Sequence, residues 1–589
     1  MKFYLIVLVF LSLPVLAQNT FTDIAPSSGI YHIYSDVSPT GGVSFSDFNQ
    51  DGWDDLTFSS DKDSLIQFYL NQEGVFQKVD LGIDNRETVM QILWVDYDND
   101  GDKDLYVNAY EGVNRLYQNQ GLLQFLDVTT ESGLPEERYL SYGACWGDYD
   151  RDGWLDLYVQ ERKGPQLAAE NRNRLYRNNT NGTFSEVTDL TNTAVVGRKP
   201  FCASFSDFNN DMWPDIYIAN DKLSVNTLLI NQKDGTFFDA SSSAGADLEM
   251  NAMCVTIGDY DANGWQDIYI TNTEEGNKLL RNLGPSGSTG IEFEEVAVST
   301  GTEFNGIGWG SSFLDSDNDG DLDLYVCGMD IGIDAVTSAL YRNNGSGNFT
   351  KLPAFLGDTV VSHSNALGDV NNDGYPDIVV SNFSPFPAQI WQNSGGDQHW
   401  LKVRLTGVIS NREGIGSRIE VYSGDNYQVR YTYCGIGFLG QNSDTEIFGV
   451  GNAILIDSIR ITWPTGHQDK FYELAPDQKL SIIEGSSTNG EIRIDPEIEQ
   501  TTARRNFDLQ SVVVDLFPNP GADHIHIGHN AEGPVNVEVR SLSGKLIFEE
   551  KSLTQPVIRL NTETWIPGTY LIRIQNQQKQ SALRLWYKQ

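Results

Sequence analysis

One nine-residue pattern recurs along the chain: Asp at position 1, Asp or Asn at 3 and 5, Gly at 6 and Asp at 9. Its copies supply Asp47, Asn49, Asp51 and Asp55; Asp96, Asp98, Asp100 and Asp104; Asp148, Asp150, Asp152 and Asp156; Asp207, Asn209, Asp211 and Asp215; Asp259, Asp261, Asn263 and Asp267; Asp315, Asp317, Asp319 and Asp323; and Asp369, Asn371, Asp373 and Asp377. Carboxylates crowded in this way oppose folding, since two like charges ~4 Å apart repel by about 4 kcal/mol at an effective dielectric of ~20. A hard divalent cation reverses that sign. Oxygens at positions 1, 3 and 5 are expected to converge, position 7 offers its carbonyl, and position 9 adds a last carboxylate. Gly at 6 permits the bend. The first six positions match an EF-hand calcium loop, but the last ligand is Asp at 9 and not Glu at 12. All-oxygen ligation favours Ca²⁺ over zinc, which takes Cys or His, and over magnesium, which keeps several waters. The expectation is up to seven structural calcium ions. The loop at Asp207 carries Met212 where Gly belongs and is expected to be the weakest site.

Composition agrees. The net charge is −41, and 24 of the ligand positions are Asp, a number equal to more than half of that net negative charge. Its 40 Lys and Arg are outnumbered by 81 Asp and Glu, which argues against nucleic-acid binding, since phosphate contacts need unopposed positive charge. Hydrophobic residues make up 40% and aromatic residues 11% of the chain, enough apolar surface to build cores. Five cysteines are too few and odd in number for a disulfide framework. Cys202 and Cys254, each five residues before its loop, read as buried small residues and not as a disulfide pair.

The elements that position the loops follow from their flanks. A short apolar segment precedes each loop, as in Gly42 to Ser46, and alternating apolar residues follow, as in Leu105-Tyr106-Val107. Each loop therefore joins two short strands. A second signature alternates with the first: Asn-x-Leu-Tyr-x-Asn, a Gly-containing turn, then Phe-x-Asp/Glu-Val, clearest over Asn114 to Val128 and Asn173 to Val187. It reads as another hairpin. Four strands per repeat, with copies spaced roughly 50–60 residues apart, predict an all-β fold built on a seven-bladed β-propeller. The segment Phe21 to Ile24 and the segment Gln389 to Asn393 carry complementary halves of the second signature, so the two ends are expected to close one blade between them.

Beyond the repeats, residues 1–17 read as a secretory signal peptide: Lys2, an apolar run to Ala17, then cleavage before Gln18. The run is shorter than the ~20 residues of a membrane span, and no later stretch is apolar enough for one, so an exported protein without a transmembrane segment is expected. Residues 18–396 hold the propeller, 397–486 a small all-β domain, 487–512 a polar linker and 513–589 a C-terminal β-sandwich.

Three resemblances sharpen this reading. On its repeated Asp loops, the span 21–396 resembles the FG-GAP/VCBS-type repeats of integrin α-chain propellers and many secreted bacterial proteins. That resemblance implies structural calcium on the outside of each blade and a platform for adhesion. Asn411, Arg412, Gly414, Gly416, the Phe448 to Gly451 turn and Trp463-Pro464-x-Gly466 resemble the ASPIC/UnbV domain, which commonly follows such repeats. Leu516-Phe-Pro-Asn-Pro520, Ser543-Gly-Lys545 and Gly568 to Ile574 resemble the C-terminal sorting domain of type IX secretion. It implies a partner in that secretion machinery and a place outside, or on the outer-membrane surface of, a Bacteroidetes-type bacterium.

The function expected from all this is non-enzymatic: a calcium-rigidified surface or secreted protein that binds an extracellular glycan, matrix or protein ligand through its variable loops or central channel. The alternative is a secreted polysaccharide lyase or hydrolase on a calcium-stabilised propeller. Against it, nearly every aligned carboxylate is a repeat ligand, and no Ser-His-Asp or Cys-His signature occurs. His363 is the His nearest the inner strands and reads as a polar channel residue. His524, His526 and His529 read as solvent-facing, and Arg412, Glu413 and Asp457 as surface charges or salt-bridge partners.

Overall fold

The computed structural model describes residues 20–489, apart from 35–40, 164–170, 274, 287–289, 305, 330–337, 353–354 and 356–357, together with the strands between Val514 and Lys588 and parts of their connections. The signal peptide and most of the linker lie outside the described residues.

The repeats form four-stranded antiparallel units, and each acidic loop joins the first and second strands of one unit. The first strands are Val43–Ser46, Thr88–Val95, Tyr139–Gly147, Pro200–Ser206, Val255–Gly258, Ile307–Leu314 and Ser362–Gly368. Each packs beside the next, and Ser362–Gly368 returns to Val43–Ser46, so the units close into a ring. As the sequence predicts, strand Phe21–Asp23 completes the last unit by pairing with Gln389–Asn393. The innermost strands are buried along most of their length, and in Pro200–Ser206 along all of it. Apolar side chains of adjacent units interlock, as where Tyr217 and Leu228 of one unit meet Ile257 and Ile268 of the next. Burying each such side chain is worth about 1.5–3 kcal/mol.

The second sequence signature has a specific role. Its closing Asn, at 71, 119, 178, 231, 282, 343 and 393, donates its backbone N–H to the position-9 Asp of its own loop at 2.7–2.8 Å. In six units the same Asn reaches back with Nδ2 to a loop carbonyl of the preceding unit. Asn71 binds Val370 O, Asn178 Tyr97 O, Asn231 Tyr149 O, Asn282 Phe208 O, Asn343 Tyr260 O and Asn393 Ser316 O, at 2.7–2.9 Å. Loop geometry and inter-unit joints are therefore one network.

The second domain, which follows the repeats, is two small sheets. One pairs His399–Thr406 with Thr445–Gly451 and, in parallel, with Gln478–Ile483. The other runs Asn426–Tyr431, Arg418–Ser423, Ile456–Thr462, Gln468–Leu474. They share a core of Leu401, Val403, Ile419, Val421, Phe448, Ile459, Ile461 and Trp463. This domain and the repeats are one compact unit, and residues 495–589 form another. Taken alone, that C-terminal unit has a three-stranded and a four-stranded sheet around Ile525, Ile527, Val537, Val539, Ile572 and Ile574.

A glycine-rich segment between Cys434 and Ser443 leaves the second domain and plugs the axis of the ring. It bonds to first strands on several sides. Trp146 N donates to Cys434 O (2.9 Å), Gly437 N to Val255 O (3.0 Å) and Phe45 N to Gln441 O (2.9 Å). Ser364 Oγ donates to Phe438 O (2.8 Å). Gln441 is fully engaged: Oε1 accepts from Trp94 N and Ser44 Oγ, both at 2.8 Å, and Nε2 donates to Trp94 O at 2.7 Å. Phe438 and Leu439 pack among Met90, Phe201, Met253 and Cys254. Gly435 has a left-handed φ of 87°, and a neighbouring backbone atom lies 2.7 Å from where a Cβ would sit. Only glycine fits there.

Asn231→Ala removes one inter-unit joint and strands two carbonyls, the buried one of Tyr149 and the half-buried one of Pro214. The expected cost is about 1–3 kcal/mol in thermal or denaturant unfolding. The exposed control Lys62→Ala shifts stability by no more than ~0.5 kcal/mol.

Candidate metal centres

Each loop is wound by its own carboxylates. The position-1 Asp accepts the position-6 backbone N–H through Oδ2 at 2.7–3.0 Å in all seven loops. The position-5 side chain accepts the position-7 N–H at 2.8–3.0 Å. Position 6 is left-handed throughout, including Met212 at φ 70°. A side chain in that conformation costs strain that Gly avoids.

Position 4 is also left-handed, at φ 53–59°. That conformation explains the preference there for Asn. The sequence reading passed over this position. Its side chain bridges neighbouring loops: Asn99 Nδ2 donates to Gly153 O, Asn210 to Gly264 O, Asn318 to Gly374 O and Asn372 to Gly52 O, at 3.0–3.3 Å.

Carboxylate oxygens gather within 4.8 Å of one another in four loops: Asp96, Asp98 and Asp104; Asp148, Asp150 and Asp156; Asp259, Asp261 and Asp267; and Asp315, Asp317 and Asp319. Three of these clusters use positions 1, 3 and 9, and the last uses 1, 3 and 5. The loops at Asp47, Asp207 and Asp369 carry Asn at position 3, so their acidic set is smaller.

In three loops the position-3 Asp keeps one oxygen free of protein partners. Asp150, Asp261 and Asp317 each meet an arginine of the third strand through Oδ2: Arg177, Arg281 and Arg342 respectively, at 2.6–2.9 Å. In all three the buried Oδ1 has no protein partner. In the first loop Asp47 Oδ1 and Asp55 Oδ2 are likewise buried and unpartnered, in residues 2% and 0% exposed. A bare carboxylate oxygen in such a place costs free energy unless a cation or proton meets it. Without a cation, burial first and neighbouring carboxylates after it push other carboxyls of the loops up: Asp148 to about 8, Asp259 to about 7 and Asp100 to about 6. The donors are all hard oxygens, so the loops fit Ca²⁺.

The loops lie on one face of the ring. The second domain covers their face. Lys402 Nζ binds Asp369 Oδ2 (2.6 Å) and Asn372 Oδ1 (2.8 Å), and Arg404 binds Asp47 Oδ2 (2.6 Å). Glu413 accepts Asp96 N (2.8 Å) and pairs with Lys103. Arg412 N donates to Asn99 Oδ1 (2.8 Å), Arg151 Nε to Pro464 O (2.5 Å) and Tyr431 OH to Asn210 Oδ1 (3.1 Å). Arg418 reaches Gly264 O (3.4 Å), and Gly451 N donates to Asn318 O (2.8 Å).

Little in the sequence marks this cover. One signal was available: Ile436, Phe438 and Leu439 set among Gly435, Gly437 and Gly440 are too apolar for an exposed loop.

Other candidates resolve differently. His363 is buried between Trp309 and Phe383, and its Nε2 has no partner. Desolvation holds its pKa well below the usual imidazole range. All five cysteines are buried and free, so Cys202 and Cys254 are unpaired. Asp457 accepts Gly424 N at 2.6 Å. His524, His526 and His529 lie on strand His524–His529, but their side chains fall outside the described residues.

The FG-GAP-like repeat family matches residues 47–107, 96–159, 167–218, 207–270, 259–326 and 331–380, more than half of the chain. The chain belongs to the FG-GAP-like repeat family. Two further families match beyond these repeats: ASPIC and UnbV over 407–489, and a secretion system C-terminal sorting domain over 515–588. Cartilage acidic protein 1 of Mus musculus is 24% identical over 491 residues, covering 80% of this FG-GAP chain and 68% of that protein. The Xenopus tropicalis protein of the same name is 23% identical over 484 residues, covering 73% and 72%. Among solved structures, BBS1N in complex with ARL6DN aligns at a TM-score of 0.39 and 12% identity, covering 61% of this chain and 94% of that one. Among the described residues no helix is long and apolar enough to cross a membrane.

Asp150→Asn and Asp156→Asn should behave differently. The first removes charge beside a buried unpartnered oxygen and weakens only the half-exposed ion pair with Arg177, so calorimetric calcium affinity at that loop falls on the order of tenfold while metal-free stability changes by no more than ~1 kcal/mol. The second leaves one acceptor for the N–H groups of Tyr149 and Asn178, and metal-free stability falls by about 1–3 kcal/mol.

Proposed function

We propose that this protein is an exported, calcium-stabilised, non-enzymatic binding protein of a Bacteroidetes-type cell surface or its surroundings. The observation that carries the calcium reading is the set of buried carboxylate oxygens left without partners at Asp47, Asp55, Asp150, Asp261 and Asp317. The last three belong to convergent clusters or their loops, and the first two share a single loop. Bound calcium supplies positive charge at those oxygens and rigidity to the loop. Asp at positions 1 and 9, with Asp or Asn at 3 and 5, hold it.

Export through the type IX machinery rests on the match to the sorting domain and on the signal-like N-terminus. The non-enzymatic reading rests on where the acids are. The carboxylates are tied into loops that lie beneath the second domain, and His363 is enclosed by aromatic rings. The plug fills the axis from the loop side, which leaves the outer edges of the units and the opposite face for an extracellular glycan, matrix or protein ligand.

The test is retention of the purified full chain on glycan and matrix-protein arrays, with calcium and with EDTA. Saturable binding that is lost on chelation is expected. Release of new reducing ends or unsaturated sugars from arrayed polysaccharides would overturn the non-enzymatic reading.

A further inference from the structure

The position-1 carboxylates of all seven loops form the floor on which the second domain rests. Asp47, Asp96, Asp148, Asp207, Asp259, Asp315 and Asp369 are each no more than 5% exposed. The domain meets two of them with a cation, Lys402 at Asp369 and Arg404 at Asp47. At Asp96 it brings another carboxylate, Glu413, whose ion-pair partner is Lys103 of the propeller itself. Among the described residues no Lys, Arg or His makes an ion pair with Asp148, Asp207, Asp259 or Asp315. Arg418 and Arg430 of the domain exert a longer-range pull, the first on Asp207 and the second on Asp259 and Asp315, but burial outweighs it at all three. A domain that buries like charges and neutralises them only in part needs positive charge from elsewhere.

Apart from the plug, five of the contacts between the domain and the loops fall on position 4. They are Arg412 N to Asn99 Oδ1, Arg151 to Pro464 O, Tyr431 OH to Asn210 Oδ1, Gly451 N to Asn318 O and Lys402 to Asn372 Oδ1. Position 4 is held left-handed between residues that would ligate the ion, so a loop that loses its order loses the domain's footholds too. The unpartnered oxygens of Asp47 and Asp55, in a loop that also meets Arg404, show that the domain's own cation does not complete even that site.

We infer that divalent cations in the acidic loops seat the second domain. Loaded loops keep the plug in the axis, and metal removal releases plug and domain from a propeller that is still folded. The inference rests on the calcium reading above and adds a direction of coupling. By linkage, seating of the domain tightens the loops' hold on the ion by the same factor.

The experiment is hydrogen exchange by mass spectrometry on the full chain, in calcium and after chelation, with bound metal measured in parallel. The reporters are the plug amides of Gly437, Gln441 and Ser443, which bond to Val255 O, Val43 O and Leu367 O. The internal standard is the second strand Asp215–Asn220. Chelation is expected to speed plug exchange at least about tenfold while that strand stays protected. Gln441→Ala, which removes three bonds from the plug without touching a loop, should reproduce the plug signature in calcium and lower calcium affinity. Plug protection that persists after the metal is gone overturns the inference and leaves the calcium reading intact. Plug and strand losing protection together also overturns it. Absence of bound calcium at the outset overturns the calcium reading and this inference with it.

Discussion

The structure depends on how buried carboxylates are kept. Position 1 winds its own loop, and position 9 anchors the third strand of its unit and, through the Asn there, the loop of the unit before. Neither residue can be replaced by an apolar one without orphaning backbone donors, and neither is stable as an uncompensated charge in a place that solvent does not reach. The ring, its joints and the covered face all follow from meeting that demand seven times over.

Much of this was legible in the residues. Regular spacing, alternation on both sides of each loop and the split signature at Phe21 and Gln389 carry the ring and its closure, because in a closed repeat each unit must present the same edges to its neighbours. The acidic pattern also marks the loops directly. Three things were not legible. Position 9 looked like a ligand alone, yet its carboxylate accepts backbone N–H groups in every unit, a role that any hairpin of this kind imposes whether or not an ion is present. Position 4 looked like filler, because a left-handed turn residue has no chemical signature beyond a taste for Asn. The cover over the loops depends on pairings between residues far apart in the chain, such as Arg404 with Asp47, and no local pattern encodes them.

The second domain changes what the ring can do. A propeller usually offers its axis as a binding site; here Phe438, Leu439 and Gln441 fill it and satisfy first-strand groups that would otherwise be bare. The domain is thus part of the ring's interior as much as a neighbour of it. Loops, joints and plug are tied together by hydrogen bonds that run from one unit to the next and into the axis.

The most direct test of the central claim is thermal unfolding of the full mature chain in EDTA, then with calcium or magnesium restored. Calcium at ~100 times a site's Kd adds about 2.7 kcal/mol, so several filled loops should raise the midpoint strongly and calcium should act well beyond magnesium. A midpoint indifferent to both ions would mean that the loops are acidic turns held by their own hydrogen bonds, and the metal assignment of every loop would fall.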